Sequence, residues 1–234
     1  MKCVLNSKIL SNLVDGIRDM VKCVNVDCSA DGMYMQCLDS AHIALCSFLL
    51  SKDGFVSYEC LRPVTLGVNL DALRLVLKQA SGTVELESHA SVLRISCVSE
   101  EKKCTFDLKL VDMDMDNLGI PEVEYAYVVH LPSAEFVRTC GSSFGDTMEI
   151  SVNSEIQFTS KGDHGSSSVS YGGVVRHGDG VSLEFSSRYL SFFAKGASLS
   201  KVVVLSMSPD IPLRVEFGFE GGHMQYFLAP KIVD

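Results

Sequence analysis

Much of the chain alternates apolar and polar residues with a period of two. The runs VNVDCS from Val24, GMYMQCL from Gly32, GTVELES from Gly82, VLRISC from Val92 and CTFDLKLV from Cys104 do so, as do YVVHL from Tyr127, TMEISV from Thr147 and VVVLSM from Val202. Turn-forming Gly, Ser, Asn and Asp separate them, which predicts short antiparallel strands with one face buried. Four segments switch to helical spacing. KILSNLVDGIRDMVK (8–22) puts Ile9, Leu10, Leu13, Val14, Ile17 and Val21 on one face and Lys8, Ser11, Asp15, Arg18 and Lys22 on another. NLDALRLVLKQAS (69–81) repeats the arrangement with Leu73, Val76, Leu77 and Ala80 against Asp71, Arg74 and Lys78. SAEFVRTC predicts a shorter helix with Ser133 as N-cap, and SSRYLSFFAKGAS a fourth.

The second and fourth helices align at a shift of 117 residues, Leu73 with Leu190, Lys78 with Lys195, Ala80 with Ala197 and Ser81 with Ser198. The first and third align more loosely in the same order. The chain therefore reads as a duplicated helix, strands, helix, strands unit. Between the copies runs DMDMDNLGIPEVEY, an acidic, Pro- and Gly-containing linker. The expected divisions are 1–111, a linker over 112–126, and 127–234.

The length of 234 residues and 47% hydrophobic content suffice for a substantial core. Net charge is −9, from 29 acids against 20 bases, which excludes gripping nucleic acid through overall positive charge. The bases of the four helices (Lys8, Arg18, Lys22, Arg74, Lys78, Arg138, Arg188 and Lys195) nevertheless form a local positive stripe with few acids between them. Such a stripe suits a polyanion that is touched rather than clenched. Nine cysteines without C-x-x-C spacing fit a reduced protein that uses them as small apolar residues. No apolar run is long enough for a membrane span, and MKCVLNSKIL has no signal-peptide apolar region.

Enzyme and metal motifs fail on context. GSSFG (141–145) has the nucleophile-elbow pattern around Ser143, but a helix precedes it and a strand follows, the reverse of the required order. DMDMDNLG begins like a calcium loop, yet Asn117 and Val123 stand where Gly and Glu are needed. The six histidines lack zinc-ligand spacing, so no metal or cofactor is expected.

LGIPEVEY from Leu118, LDSAHIAL from Leu38, LGVNLDALRLVLK from Leu66, RYLSFFAK from Arg188, SMSPDIPLRVEF from Ser206 and LAPKI from Leu228 closely resemble the eukaryotic sliding clamps of the proliferating cell nuclear antigen family, in order along the chain. The resemblance implies an α+β chain of two clamp domains, with antiparallel sheets outside and four helices facing a central channel, in a nuclear homotrimeric ring. It implies no catalysis and no cofactor. The ring would encircle duplex DNA without sequence preference, as processivity factor for DNA polymerase. It would also dock flap endonuclease, ligase and the clamp loader through short peptide motifs, in replication and repair.

Carried over by position, the channel bases match Arg18, Lys78, Arg138, Arg188 and Lys195, with Arg74 added. Ser11, Asn12 and Leu75 replace lysines usual in relatives, which implies a thinner positive lining. Three chains together would carry three times −9, repelling DNA outside while the channel attracts it. The subunit contact matches CTFDLKLV, with Phe106 and Leu108, and SSSVSY around Val169. The partner-peptide pocket matches His42, Ile43 and Leu45, then Leu118, Ile120, Pro121 and Tyr125, then Ile211, Pro212, Leu228, Ala229, Pro230 and Lys231. Relatives accept ubiquitin on a lysine in the loop matching Ser151–Glu155, where this chain has none between Thr139 and Ser160. Either Lys161 substitutes or that switch is missing. The alternatives are a subunit of a heterotrimeric checkpoint clamp and, from another class, a serine hydrolase using Ser143.

Overall fold

The computed structural model describes residues 1–98, 102–113, 118–120, 123–172 and 180–232. Packing divides the chain into two compact units. The first comprises Met1–Ser40, Cys46–Gly119 and Phe219–Met224, and the second Ala41–Leu45, Ile120–Gly218 and Gln225–Asp234. The division thus falls inside the acidic linker, while two short segments far from it in sequence group with the opposite unit.

The first unit runs β1 (Lys2–Asn6), α1 (Ser7–Ile17), β2 (Cys23–Ser29), β3 (Gly32–Leu38), β4 (Ala44–Ser51), β5 (Ser57–Glu59), β6 (Val64–Asn69), α2 (Leu70–Leu77), β7 (Thr83–His89), β8 (Val92–Val98) and β9 (Lys103–Lys109). Its sheets are ordered β5-β1-β7-β8-β9 and β4-β3-β2-β6. The second unit runs β10 (Tyr127–Pro132), α3 (Ser133–Gly141), β11 (Thr147–Val152), β12 (Glu155–Gly162), β13 (Gly165–Gly172), β14 (Val181–Ser186), α4 (Ser187–Phe193), β15 (Val202–Met207), β16 (Leu213–Phe219) and β17 (Gly222–Leu228). Here the orders are β10-β15-β16-β17 and β13-β12-β11-β14. The pairing β1 with β7 recurs as β10 with β15, and β2 with β6 as β11 with β14, all antiparallel. This is the duplication expected from the 117-residue shift, now visible as topology.

A finer repeat ties the helices down. The first residue of every helix donates its amide to the carbonyl just before a strand: Ser7 to Gly82 (2.9 Å), Leu70 to Lys22 (2.8 Å), Ser133 to Lys201 (2.9 Å) and Ser187 to Asp146 (3.1 Å). Each bond satisfies one of the orphan donors at a helix start and sets that helix over its sheets. These bonds also explain two boundary differences. The first helix ends at Ile17, with Arg18 as its C-cap, instead of continuing to Lys22. Lys22 is committed to Leu70, and β2 begins immediately afterwards. Ser133 is the first helical residue, not the N-cap, because β10 pairs with β15 up to Pro132 and the helix starts directly from it. Its buried hydroxyl has no partner among the described residues.

The apolar stripes read from the sequence are the faces that bury. Leu10, Leu13, Val14 and Ile17 of α1 and Leu70 and Leu73 of α2 surround one interior with Val24, Val68 and Phe48. In the second unit Phe136, Phe158, Phe185, Phe193, Phe217 and Tyr226 are essentially inaccessible, and each contributes roughly 1.5–3 kcal/mol of hydrophobic stabilisation. Phe193 stacks on Tyr226 at 4.5 Å between centroids, and Tyr226 meets Phe217 edge-on. After Phe193 the helix tightens into a 3₁₀ turn, Ala194–Ser198, bringing Gly196 onto the Phe217 ring. A Cβ at Gly196 would stand 2.6 Å from that ring, so a larger residue cannot follow the same path.

Candidate nucleic-acid interface and docking surface

In the first unit α1 is capped by Asn6, whose side chain accepts the Lys8 amide, and α2 by Asn69, whose side chain accepts the Ala72 amide (both 2.9 Å). Neither cap is charged. The polar faces of α1 and α2, which pack together, carry Lys8, Asp15, Arg18, Arg74 and Lys78. Arg74 donates from Nε to Asp15 Oδ1 at 2.6 Å, and Arg18 Nε lies 3.3 Å from the same oxygen. Lys78, the C-cap of α2, is exposed and its ammonium has no partner among the described residues. Leu75, next to Arg74 on α2, is 68% exposed and presents methyl groups where a charge would strengthen the stripe.

In the second unit Arg138 of α3 is 72% exposed at its side chain and pairs with Glu135 at 2.9 Å. Arg188 of α4 lies 5.4 Å from the centroid of the Phe192 ring, a cation–π contact that leaves its charge unneutralised. Lys195 is exposed on the 3₁₀ turn that follows. The acids among the helical bases are few, as expected, but they are engaged. Asp15 and Glu135 engage three of the six arginines and lysines carried over as DNA contacts. The stripe is thinner than a count of bases suggests.

The residues matched to a peptide pocket divide into surface and support. Ile43 is 42% exposed, and its carbonyl accepts the Ala229 amide at 3.1 Å, which joins the LDSAHIAL segment to LAPKI. His42, exposed beside it, has a left-handed backbone (φ 58°), and Leu45 is half-buried. Tyr125 donates its hydroxyl to the Pro212 carbonyl at 3.1 Å, which joins LGIPEVEY to SMSPDIPLRVEF. Burial raises the Tyr125 pKa, so the hydroxyl stays a donor through neutral pH. Tyr125 and Leu228 are almost wholly buried and act from beneath. Pro212 is exposed, and Ile211, Ala229 and Pro230 are half-buried. Lys231 is anchored by its amide to the Glu184 carbonyl (2.7 Å) and by its ammonium to Thr147. Leu118 is exposed in the first unit, Ile120 is half-buried in the second, and Pro121 lies outside the described residues.

Sequence reasoning missed Arg214, whose guanidinium carbon lies 4.9 Å from the Tyr125 centroid, and Ser208, which accepts the Ala126 amide at 2.7 Å. Arg214 falls at an ordinary polar position of an alternating strand, so no local pattern marks it.

The matched subunit strands β9 and β13 are the outermost strands of their sheets. Cys104, Phe106 and Leu108 share the half-buried face of β9, and Ser167, Val169 and Tyr171 that of β13. Other sheet ends are partly covered. The Val111 amide donates to Gly67 of β6, and the Lys231 amide to Glu184 of β14. Among the described residues no such backbone bond reaches the outer side of β9 or β13. An uncovered edge of seven or eight residues is a template for another strand.

Ser143 is engaged structurally. Its hydroxyl donates to the Gly145 carbonyl at 2.8 Å and lies 2.8 Å from the Ser187 hydroxyl, with α3 before it and β11 after it. Among the described residues no group of three or more His, Cys, Asp or Glu side chains could hold a metal, and no helix is long and apolar enough to cross a membrane.

Two duplicated units of antiparallel sheets, each with a pair of helices presenting bases, define a two-domain DNA-clamp chain. The family model for the proliferating cell nuclear antigen N-terminal domain matches residues 3–118, and that for its C-terminal domain matches residues 119–232. The chain belongs to the proliferating cell nuclear antigen family.

Proposed function

We propose that this chain is a non-enzymatic sliding clamp, three copies of which close edge to edge through β9 and β13 around duplex DNA in the nucleus. The observation that carries this is the match of both clamp-domain models, end to end, to a chain whose four helices all carry exposed bases on otherwise acidic units. Phosphate contacts from Arg18, Arg74, Lys78, Arg138, Arg188 and Lys195 carry no base information and exchange readily, so a closed ring bearing them can travel along the helix axis. The ring would hold DNA polymerase on its template. The surface around Ile43, Pro212 and Ala229 would take short peptides with aliphatic and aromatic anchors from polymerase, flap endonuclease, ligase and clamp loader. A few anchors buried at about 25 cal/mol per Å², less the cost of ordering the peptide, support exchangeable partners.

The test is topological. Loaded onto nicked circular DNA, the ring should be retained in moderate salt and lost when the circle is linearised; retention on linear DNA with free ends would contradict the proposal. Native mass distinguishes the heterotrimeric checkpoint-clamp alternative, since a pure sample at three times 25.5 kDa requires self-assembly.

A further inference from the structure

In the first unit one carboxylate serves two arginines on different helices. Oδ1 of Asp15 on α1 lies 2.6 Å from Nε of Arg74 on α2 and 3.3 Å from Nε of Arg18. Both contacts use Nε, so the Nη ends of the two guanidinium forks have no protein partner among the described residues. The three side chains are 25–39% exposed, and solvent and a ligand can reach them. Two positive charges and one negative leave this cluster a single net charge, drawn together where α1 and α2 pack.

We propose that Asp15 limits how strongly this face holds a DNA phosphate: it gathers Arg18 and Arg74 into one two-fork site while cancelling half of their charge. The inference rests on the clamp reading above and names a determinant of its sliding. Free forks would release counterions as two independent phosphate contacts, and each such contact steepens the salt dependence of binding by about 0.9 in log K against log salt. Paired through Asp15, they act closer to one. A clamp profits from that restraint, because a contact that must break at every step slows travel. The bland reading, that Asp15 merely fastens α1 to α2, predicts an effect on stability and none on salt dependence. Partly exposed ion pairs contribute only about 0–1 kcal/mol to stability, so the two readings separate cleanly.

The decisive variant is Asp15→Asn, whose amide oxygen can still accept from Arg74 Nε and so removes charge while keeping the contact. Retention on closed circular DNA and equilibrium binding to linear duplex are measured from low to moderate salt, with thermal unfolding and native mass as controls. The expected result is binding several-fold tighter at low salt, a salt slope steeper by up to about 0.9 per chain, and slower one-dimensional diffusion. Asp15→Glu should restore wild-type values, and Arg74→Gln, which leaves Arg18 fully offset by Asp15, should weaken binding. An Asp15→Asn ring that folds and assembles normally but binds with unchanged slope, or more weakly, overturns the inference while leaving the clamp reading intact. A wild-type ring that is not retained on circular DNA, or that stays on linear DNA with free ends, removes the clamp reading itself, and the inference with it.

Discussion

Gly67 of β6 lies directly against Val111. The Val111 amide donates to the Gly67 carbonyl at 2.9 Å, and a Cβ built on Gly67 would stand 1.8 Å from the Val111 carbonyl oxygen. Two residues further on, the Met113 carbonyl accepts from the Asn25 side chain at 3.0 Å. The chain leaving β9 is thus laid along β6 and β2 as far as Met113, and only a residue without a side chain admits it. Gly67→Ala should destabilise the first unit by about 1–3 kcal/mol, read as a lower urea midpoint with an unchanged slope.

The uncovered edges make assembly testable one residue at a time. Phe106→Asp or Val169→Asp should leave the circular dichroism spectrum unchanged while shifting native mass from three times 25.5 kDa to the single chain. Each places a charge on the half-buried face of an outermost strand, where a neighbouring strand would bury it at high cost. Trimers that persist in both variants would place the contact elsewhere.

Removing one oxygen tests the support of the docking surface. Tyr125→Phe leaves the Pro212 carbonyl without its donor, at a cost of about 1–2 kcal/mol to unfolding. Peptide affinity, measured by calorimetry, should fall by several-fold as the Pro212 segment loosens. Exposed Ile43→Ser should lower peptide affinity with little change in stability, because its side chain is already 42% accessible.

Alkaline pH should unfold this protein early. Burial pushes the thiols of Cys3, Cys28 and Cys140 up from 9.0 to about 12. The folded state therefore keeps protons that the unfolded chain gives up above pH 9. Stability is fully present below pH 9 and is lost as pH rises toward 12, by at most a few kcal/mol per thiol. Urea midpoints should fall steadily between pH 9 and pH 11, and Cys→Ser changes at these sites should flatten that dependence. Native thiol titration at pH 8 should label the partly accessible Cys23 and Cys104 well before the buried ones.

Ser143→Ala should cost about 1 kcal/mol, through its lost bonds to Gly145 and Ser187, and leave ester turnover at background in both proteins. Turnover that is present in the wild type and disappears in the variant would revive the hydrolase alternative.

Period-two alternation along Thr83–His89 or Thr147–Val152, and the three-and-four spacing of Leu10, Leu13, Val14 and Ile17, settle strand, helix and buried face within each segment. Local backbone geometry and hydrophobic burial act over a few residues, and both leave their period in the sequence. The internal duplication and the ordered motifs LGIPEVEY and LAPKI settle the family for the same reason, since they are contiguous strings. Tertiary structure alone decided what depends on residues distant along the chain. Asp15 meets Arg74 across 59 positions, Tyr125 meets Pro212 across 87, and Val111 meets Gly67 because β9 ends where it does. The start of α3 belongs with these, shifted one residue toward the N-terminus by the pairing of β10 with β15. No periodicity encodes such meetings. They follow from strand order and from which amide is left unpaired when sheets and helices close on one another, and they determine how much of the charge on the four helices remains free to meet a phosphate.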